Sequence, residues 1–434
     1  MSLDSSRDLA AWLRRLEGLH PSEIDMGLGR VAEVTARLGI LKPAPRVFTV
    51  TGTNGKGSTC AALDSLLRQA GLRSGCYTSP HLVHYNERVC IDGQPVADAE
   101  LCAAFTAIDQ ARGEISLTYF EFGTLAALWL FQRAGLDAVV LEVGLGGRLD
   151  AVNIVDADVA VVTSIGLDHP DYLGDTRDSV GYEKAGILRS SGRLVCSETD
   201  LPPRFIQQLE QLQVRMWQRD KDYGWQAEQA GNWTFTGQWQ GQDRCLNLPA
   251  VVLPRDNLST ALQAFWVAGL DLPDAQLVAA VTSTQVTGRL DQRTLQWQGQ
   301  PRQLLLDVGH NAQAAEYLAD HLGGEAAQNC VESCVAVFGL LSDKNLDAIL
   351  QPLRGRFASW AVAPLPTPRS RPAAELVAGL ERAGEAALAF DSIGQAIRWQ
   401  LDNTPADTKI IIFGSFFCVA EAILWLDTQS GGEI

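Results

Sequence analysis

Two successive α/β domains are predicted for this chain. The first is a P-loop-type, doubly wound domain with a mostly parallel sheet over residues 1–290; the second is a smaller Rossmann-like α/β domain over residues 291–434. Three observations predict them. Short apolar runs alternate with amphipathic stretches before about residue 200 and again after Leu290. A glycine-rich turn with an embedded lysine, Thr51-Gly52-Thr53-Asn54-Gly55-Lys56-Gly57-Ser58-Thr59, follows an apolar run and precedes a helical pattern. The length of 434 residues exceeds what one hydrophobic core ordinarily supports.

In chain order, residues 1–40 read as helical, interrupted by Asp25-Met26-Gly27-Leu28-Gly29-Arg30 ahead of a second helix at 31–38. Lys42-Pro43-Ala44-Pro45 stiffens the entry to a buried strand at 47–50. The glycine turn then leads into a helix at 58–70. Further strands are expected at 74–78, 137–143 and 158–164, with helices at 98–112, 119–134 and 176–189. From 214 to 250 the texture changes: Trp217, Trp225, Trp233 and Trp239 stand among Gln, Gly and Asp, as expected of a small antiparallel annex; the core of that sheet is the favoured place for them, with a stacking platform the alternative. After a hinge at 287–301, strands are expected at 303–308, 334–338, 358–363 and 408–413, with helices near 312–322, 343–353, 372–383 and 415–426.

Composition narrows the function. Lys plus Arg is 35 against 51 Asp plus Glu, a net charge of −16, which argues against a nucleic-acid partner. An anionic ligand must therefore be held locally. No apolar run suits a membrane span, and the first 20 residues lack the continuous apolar core of a secretory signal. Nine scattered cysteines (60, 76, 90, 102, 196, 245, 330, 334 and 418) form no CxxC pair and read as reduced, buried thiols. A cytoplasmic monomer is the expectation.

The strongest chemical signal is the turn at 51–59. Its glycines let backbone amides face a phosphate, a helix N-terminus adds partial positive charge, and Lys56 adds a full one. Val50 and Gly57 depart from the strict P-loop spacing. Glu142, at the end of an apolar strand and before Gly144, Gly146 and Gly147, suits magnesium held against nucleotide phosphates; pairing with Arg148 is the structural alternative. Asp168 and His169 follow another strand and stand equally as a metal ligand with its neighbour or as a helix-start Asp with a solvated His. His81 and His84, after Ser79, read as surface or packing residues. Lys184 is flanked by Ala185, Gly186, Ile187 and Leu188, so an inward orientation competes with a solvated one. Asp307, His310 and Asn311 mark a strand end in the second domain, and Ser415 a comparable strand-to-helix turn.

These residues fall in motifs that together resemble the bacterial bifunctional dihydrofolate synthase/folylpolyglutamate synthase family of Mur-ligase-like enzymes. DMGLGR, TGTNGKGST, TSPHL, TYFEFGT, LEVGLGGRLDAVN, SIGLDH, YEKAGI, PRDN, TGRLD, LDVGHN and GSF occur in that order over nearly the whole chain. The resemblance implies that Thr53, Asn54, Gly55, Lys56, Gly57 and Ser58 bind ATP, with Asn257, Arg289 and Asp307. It implies magnesium, at two sites, on Ser79, Glu142, His169 and a carbamylated Lys184. It assigns dihydropteroate or folate to Asp25, Met26, Gly27 and Leu28, to Thr118, Tyr119, Phe120 and Glu121, and to Leu149, Asp150 and Ala151. It places His310 and Ser415 near the incoming L-glutamate. Lys56, Lys184 and His310 are the implied catalytic groups. Two departures stand out: Ala312 where the family commonly has proline, and Phe417 where it commonly has histidine.

The implied reaction is an ATP-dependent ligation of L-glutamate to dihydropteroate and to folate glutamate tails, through an acyl phosphate and with closure of the two domains to exclude water. A Mur-type ligase acting on a UDP-linked cell-wall substrate is the alternative, and a folate-binding protein without catalysis is a rival of another class.

Overall fold

A computed structural model describes residues 8–22, 24–323 and 334–429. Contacts divide the chain into Met1–Thr284 and Gln285–Ile434. Cys330 and the first seven residues of the expected N-terminal helix lie outside the described residues.

The first unit is built on strands β1 (Arg46–Thr51), β2 (Ser74–Tyr77), β3 (Val89–Ile91), β4 (Gln94–Pro95), β5 (Ala138–Glu142), β6 (Val159–Val162), β7 (Arg193–Cys196) and β8 (Arg215–Gln218). They form one sheet in the order β4-β3-β2-β5-β1-β6-β7-β8, parallel from β2 to β8 and antiparallel at β3 and β4. The strands β2, β5 and β6 bury every residue, as a sheet covered on both faces requires. The chain leaves β1 for β2 on one side, returns to β5, and then crosses β1 to β6. The edge beyond the carboxyl end of β1 is thus a topological switch point, where ligands of open α/β sheets gather.

The helices of this unit are α1 (Leu9–Glu17), α2 (Gly29–Leu38), α3 (Lys56–Gln69), α4 (Asp98–Arg112), α5 (Tyr119–Ala134), α6 (Pro170–Leu173), α7 (Arg177–Ala185), α8 (Pro203–Leu212), α9 (Arg255–Val267) and α10 (Asp274–Thr282). One core gathers Trp12 of α1, Phe105 of α4 and Phe122 of α5, whose rings lie 5.7–6.4 Å apart. In α9 every residue from Asn257 to Val267 is buried, as for a helix enclosed on all sides.

The annex is a three-stranded antiparallel sheet of β9 (Gly224–Ala227), β10 (Trp233–Trp239) and β11 (Gln242–Leu248). It begins later than the sequence suggests, because β8, with Trp217, pairs in parallel with β7 as the edge of the main sheet. Trp233 is fully enclosed and donates to the Pro249 carbonyl at 3.0 Å, so it fills a core. Cys245 departs from the expectation of buried thiols: the outward alternation of β11 leaves it exposed.

The second unit holds β12 (Asp291–Trp297), β13 (Gln300–Asp307), β14 (Cys334–Phe338), β15 (Trp360–Val362), β16 (Ala387–Ala389) and β17 (Lys409–Phe413), ordered β12-β13-β17-β14-β15-β16. Its helices are α11 (Ala312–Gly323), α12 (Leu346–Leu350), α13 (Ala373–Arg382), α14 (Ile393–Asn403) and α15 (Phe416–Gln429). The expected hinge at 287–301 is largely strand. Gln298 and Gly299, both with positive φ (50° and 80°), form a two-residue turn joining antiparallel β12 and β13, so Gln300 and Pro301 begin a strand. Asn311 accepts from the Ala314 amide at 3.0 Å and caps α11, so Ala312 in place of proline leaves that helix start intact. No described helix is long and apolar enough to cross a membrane.

Trp233→Ala should destabilise the first unit by about 3–5 kcal/mol, the usual cost of emptying a large aromatic site. Denaturant unfolding followed by circular dichroism measures it.

Candidate active site

Four neighbouring strands of the first unit, β2, β5, β1 and β6, point their carboxyl ends the same way. Ser79 follows β2, Glu142 ends β5, the glycine turn follows β1, and His169 lies in the loop after β6. Residues distant in sequence therefore share one edge.

The turn after β1 is tied to the loop after β6. The Thr53 amide donates to the Ser164 carbonyl (3.0 Å), and the Thr53 hydroxyl both donates to the Gly166 carbonyl (2.9 Å) and accepts from its amide (3.0 Å). The Asn54 amide donates to Ser164 Oγ (2.9 Å), and Thr163 Oγ1 donates to the Asn54 carbonyl (2.6 Å). The amides of Thr53 and Asn54 thus serve the protein's own loop. Those of the first turn of α3 have no partner within the helix, the arrangement that suits an anion. Gly55 is required there: its φ is +87°, and a Cβ would stand 2.4 Å from Asn257 Oδ1. Lys56 is the first residue of α3, with Nζ folded back onto the carbonyls of Gly52 (2.9 Å) and Thr53 (3.3 Å).

Glu142 is buried and accepts from the Ser79 amide at 3.1 Å. A Cβ on Gly57 would lie 3.8 Å from its Oε2, so the carboxylate faces the start of α3. Arg148 pairs with Glu183 at 2.9 Å, which removes the structural alternative of an Arg148–Glu142 pair. His169 precedes α6 with φ +49°, and its ring lies 3.7 Å from the Asp168 carboxylate. Lys184 points inward and is 2% exposed. Burial first, then the neighbouring charge of Lys56, lowers its ammonium to about 7, against the pull of Asp168. Among the described residues no three His, Cys, Asp or Glu side chains gather as a metal cage. One carboxylate, one hydroxyl and one imidazole suit a hard cation that keeps waters and substrate oxygens.

The three segments assigned to the pterin substrate also converge. A Cβ on Gly144 would meet the Phe120 ring at 2.6 Å, and one on Gly146 would meet Leu173 at 2.8 Å and Met26 at 3.9 Å. Thr118 and Glu121 form a capping box at the start of α5, and Glu121 Oε1 accepts from Arg30 at 2.8 Å. Arg30 also binds Asp25 at 2.7 Å, which joins the Asp25–Leu28 segment to α5. Asp150 is buried, and its two oxygens accept from the Val152 and Leu145 amides, each at 2.9 Å. Burial raises its carboxyl to about 6 against these bonds.

In the second unit, Asp307 accepts from the amides of Leu290 (3.0 Å) and Gly309 (2.7 Å). Burial raises its carboxyl while the Arg289 charge lowers it. Phe416 has the Arg289 guanidinium 5.6 Å from its ring centre and the His310 ring 6.1 Å away. His310 Nδ1 faces the Val308 carbonyl at 3.0 Å; a carbonyl only accepts, so Nδ1 carries the proton. Ser415 is buried and accepts from the Cys418 amide at 3.0 Å, capping α15, while Phe417 is 39% exposed.

Residues 50–265 match the Mur ligase middle domain, and residues 288–416 match the Mur ligase glutamate ligase domain. The chain is 43% identical over 426 residues to the dihydrofolate synthase/folylpolyglutamate synthase of Escherichia coli K12, covering 98% of this chain and 97% of that protein. The chain belongs to the dihydrofolate synthase/folylpolyglutamate synthase family. It is a ligase. The Haemophilus influenzae enzyme of that description is 40% identical, with 97% of this chain and 98% of that protein covered. The structure of E. coli FolC in complex with DHPP and ADP matches with a TM-score of 0.91 and 41% identity, over 99% of this chain and all of that one. A bifunctional folylpolyglutamate synthase/dihydrofolate synthase with Mn, AMPPNP and L-glutamate bound matches with a TM-score of 0.87 and 42% identity, over 98% of this chain and 99% of that one.

Within this family fold, several supporting residues escape a reading by residue type. Thr163 and Ser164 read as ordinary strand-end residues, yet they hold the glycine turn through Asn54. Arg88 is buried beneath the tyrosine rings of residues 85 and 119 and donates to His81 Nδ1 at 2.8 Å. Burial first, and then Arg88, lowers the His81 imidazole to about 4.

Gly55→Ala should weaken nucleotide binding about tenfold or more, since a left-handed alanine costs about 1–3 kcal/mol before its clash with Asn257. Gly71→Ala, with a similar φ of +72° but open space around it, should leave nucleotide affinity unchanged. Titration with a fluorescent ADP analogue separates the two.

Proposed function

We propose that one site of the first unit serves both family reactions, joining L-glutamate to dihydropteroate and to the glutamate tails of folates. ATP binds on Thr53, Asn54, Gly55, Lys56, Gly57 and Ser58 with Asn257. From the second unit we assign Arg289 and Asp307 to the nucleotide and His310 and Ser415 to L-glutamate. The pterin substrate lies along Asp25–Leu28, Thr118–Glu121 and Leu149–Ala151. The observation that carries this reading is the shared edge of β2, β5, β1 and β6, where the glycine turn, the buried Glu142 and a loop packed against Met26, Phe120 and Leu173 adjoin.

A carboxylate oxygen of the pterin substrate attacks the γ-phosphorus, ADP leaves, and an acyl phosphate forms. The neutral amine of L-glutamate then attacks the acyl carbon, phosphate leaves, and the amide remains once the nitrogen loses its extra proton. Lys56 stabilises the charge on the transferring phosphoryl oxygens. His310, with Nδ1 held by Val308, has the tautomer in which Nε2 bears the lone pair that takes a proton from the glutamate ammonium. Ser79, Glu142, His169 and Lys184 would hold magnesium, which when bound neutralises phosphate charge. Lys184 fits this role as a carbamate: its neutral amine adds carbon dioxide, an N–C bond forms, a proton leaves, and a buried cation becomes an anion with two oxygens.

ADP release should require L-glutamate together with either dihydropteroate or tetrahydrofolate. Lys56→Ala should abolish both reactions with little change in melting temperature, because its ammonium touches only two carbonyls of its own turn. ADP release without a pterin substrate, or near-wild-type turnover in Lys56→Ala, would overturn the assignment.

A second expectation concerns pH. Only the neutral amine reacts, and Lys184 is half neutral at about pH 7. After decarbamylation at low pH, the rate of reactivation by dissolved carbon dioxide should rise up to about pH 7 and then level off. Lys56→Ala, by removing a neighbouring cation, should move that midpoint upward when modification is followed by mass spectrometry of the intact protein. A rate still climbing at pH 10, as for an ordinary solvated lysine, would contradict this.

A further inference from the structure

We propose that Arg148 and Glu183 form a positioning pair that fixes the rotation of α7, and with it the direction in which Lys184 presents its amine to the site. The inference rests on the carbamate reading of Lys184 given above.

Arg148 lies in the loop between β5 and β6, two residues before Asp150. Its Nε and one terminal nitrogen donate to Glu183 Oε1 at 3.1 and 2.9 Å, and its backbone amide donates to the Glu183 carbonyl at 2.8 Å. Asn153 Nδ2 then bridges the two segments from below, donating to the carbonyls of Arg148 (3.1 Å) and Gly186 (3.0 Å). The backbones approach so closely that a Cβ on Gly186 would lie 2.2 Å from the Arg148 Cβ, and one on Gly147 would lie 3.0 Å from the Glu183 carbonyl oxygen. This contact is built, with two glycines making room for it.

Successive helix residues point about 100° apart around the axis. Glu183 therefore faces the loop while Lys184, one step on, faces the interior, where Lys56 and Asp168 are its charged neighbours. Holding Glu183 sets the azimuth of Lys184. The other end of the pair is equally constrained: Thr51 Oγ1 of β1 donates to the Gly146 carbonyl at 2.6 Å, and Asp150 anchors the amides of Leu145 and Val152. A shift of the pterin loop thus reaches Lys184 as a turn of its helix. Among the described residues, Glu183 Oε2 is enclosed without a hydrogen-bond partner, and Arg148 is the cation paired with this carboxylate.

The test uses the full chain, decarbamylated at low pH and then exposed to 13C-bicarbonate, with the carbamate carbon observed by NMR. Arg148→Gln should lower the melting temperature, because it strands a half-buried carboxylate whose Oε2 is enclosed. The double variant Arg148→Gln/Glu183→Gln removes both charges and should recover most of that loss. It should nevertheless need about tenfold more bicarbonate for half-maximal carbamate signal, the usual scale for losing an outer-shell contact, while binding a fluorescent ADP analogue as wild type does. Arg148→Lys, which keeps the charge but not the forked geometry, should fall between wild type and the double variant. A wild-type carbamate titration in the folded double variant overturns the positioning pair alone. Absence of any carbamate signal in the wild type overturns the reading of Lys184, and this inference with it.

Discussion

Everything in the first unit depends on the register of β1 between β5 and β6. The pairing continues one residue beyond the strands on both sides, with the Val143 amide on the Val50 carbonyl and the Thr163 amide on the Thr51 carbonyl, each at 2.9 Å. Three chain segments therefore leave the sheet at one height. A slip of one residue in either pairing would turn the strands' side chains to the opposite face. Glu142 would then leave the start of α3, and Thr163 would leave Asn54. The chemistry is local in space because the register is exact over five or six residues of strand.

Charge follows the same economy. A chain with a net charge of −16 sets Lys56 close enough to the buried Lys184 to help lower the Lys184 ammonium, after burial itself. Both influences favour the neutral amine of Lys184 over its ammonium. The surrounding backbone supplies the rest: the glycine turn offers helix-terminal amides, and Glu142 is held by the Ser79 amide. Local arrangement, and not net charge, determines which ligand this protein accepts.

Much of this was legible in the sequence, because the parallel strands β1, β5, β6, β14 and β17 are predominantly apolar and buried, and glycine or charged residues follow several of them. The glycine turn, Glu142 and the inward option for Lys184 came from that pattern. The edge strands did not. β12 alternates exposed and half-buried polar residues with one buried leucine, and β16 is three residues long, so neither has an apolar run to read. The supporting contacts were hidden for a different reason. Arg148 and Glu183 are ordinary charged residues until the fold brings them together from 35 positions apart, and Ser164 looks like any strand-end serine until it meets Asn54 across 110. The linear pattern reports which face is buried, but not which partner a polar side chain will find there.

The enclosure of α9 has a consequence for biosynthesis. This helix packs on α3 and brings Asn257 against Gly55, and Thr59 Oγ1 meets the Asn257 carbonyl across 198 residues at 3.5 Å. On the ribosome the glycine turn emerges long before the helix that walls it in. At roughly 5–20 residues per second that delay is on the order of ten to forty seconds. Until α9 is made, the flanks of α3, β6 and β7 that it packs against lack that cover. The first unit thus cannot complete its enclosure until nearly two-thirds of these 434 residues have been made, and the glycine turn is among the parts that wait for it.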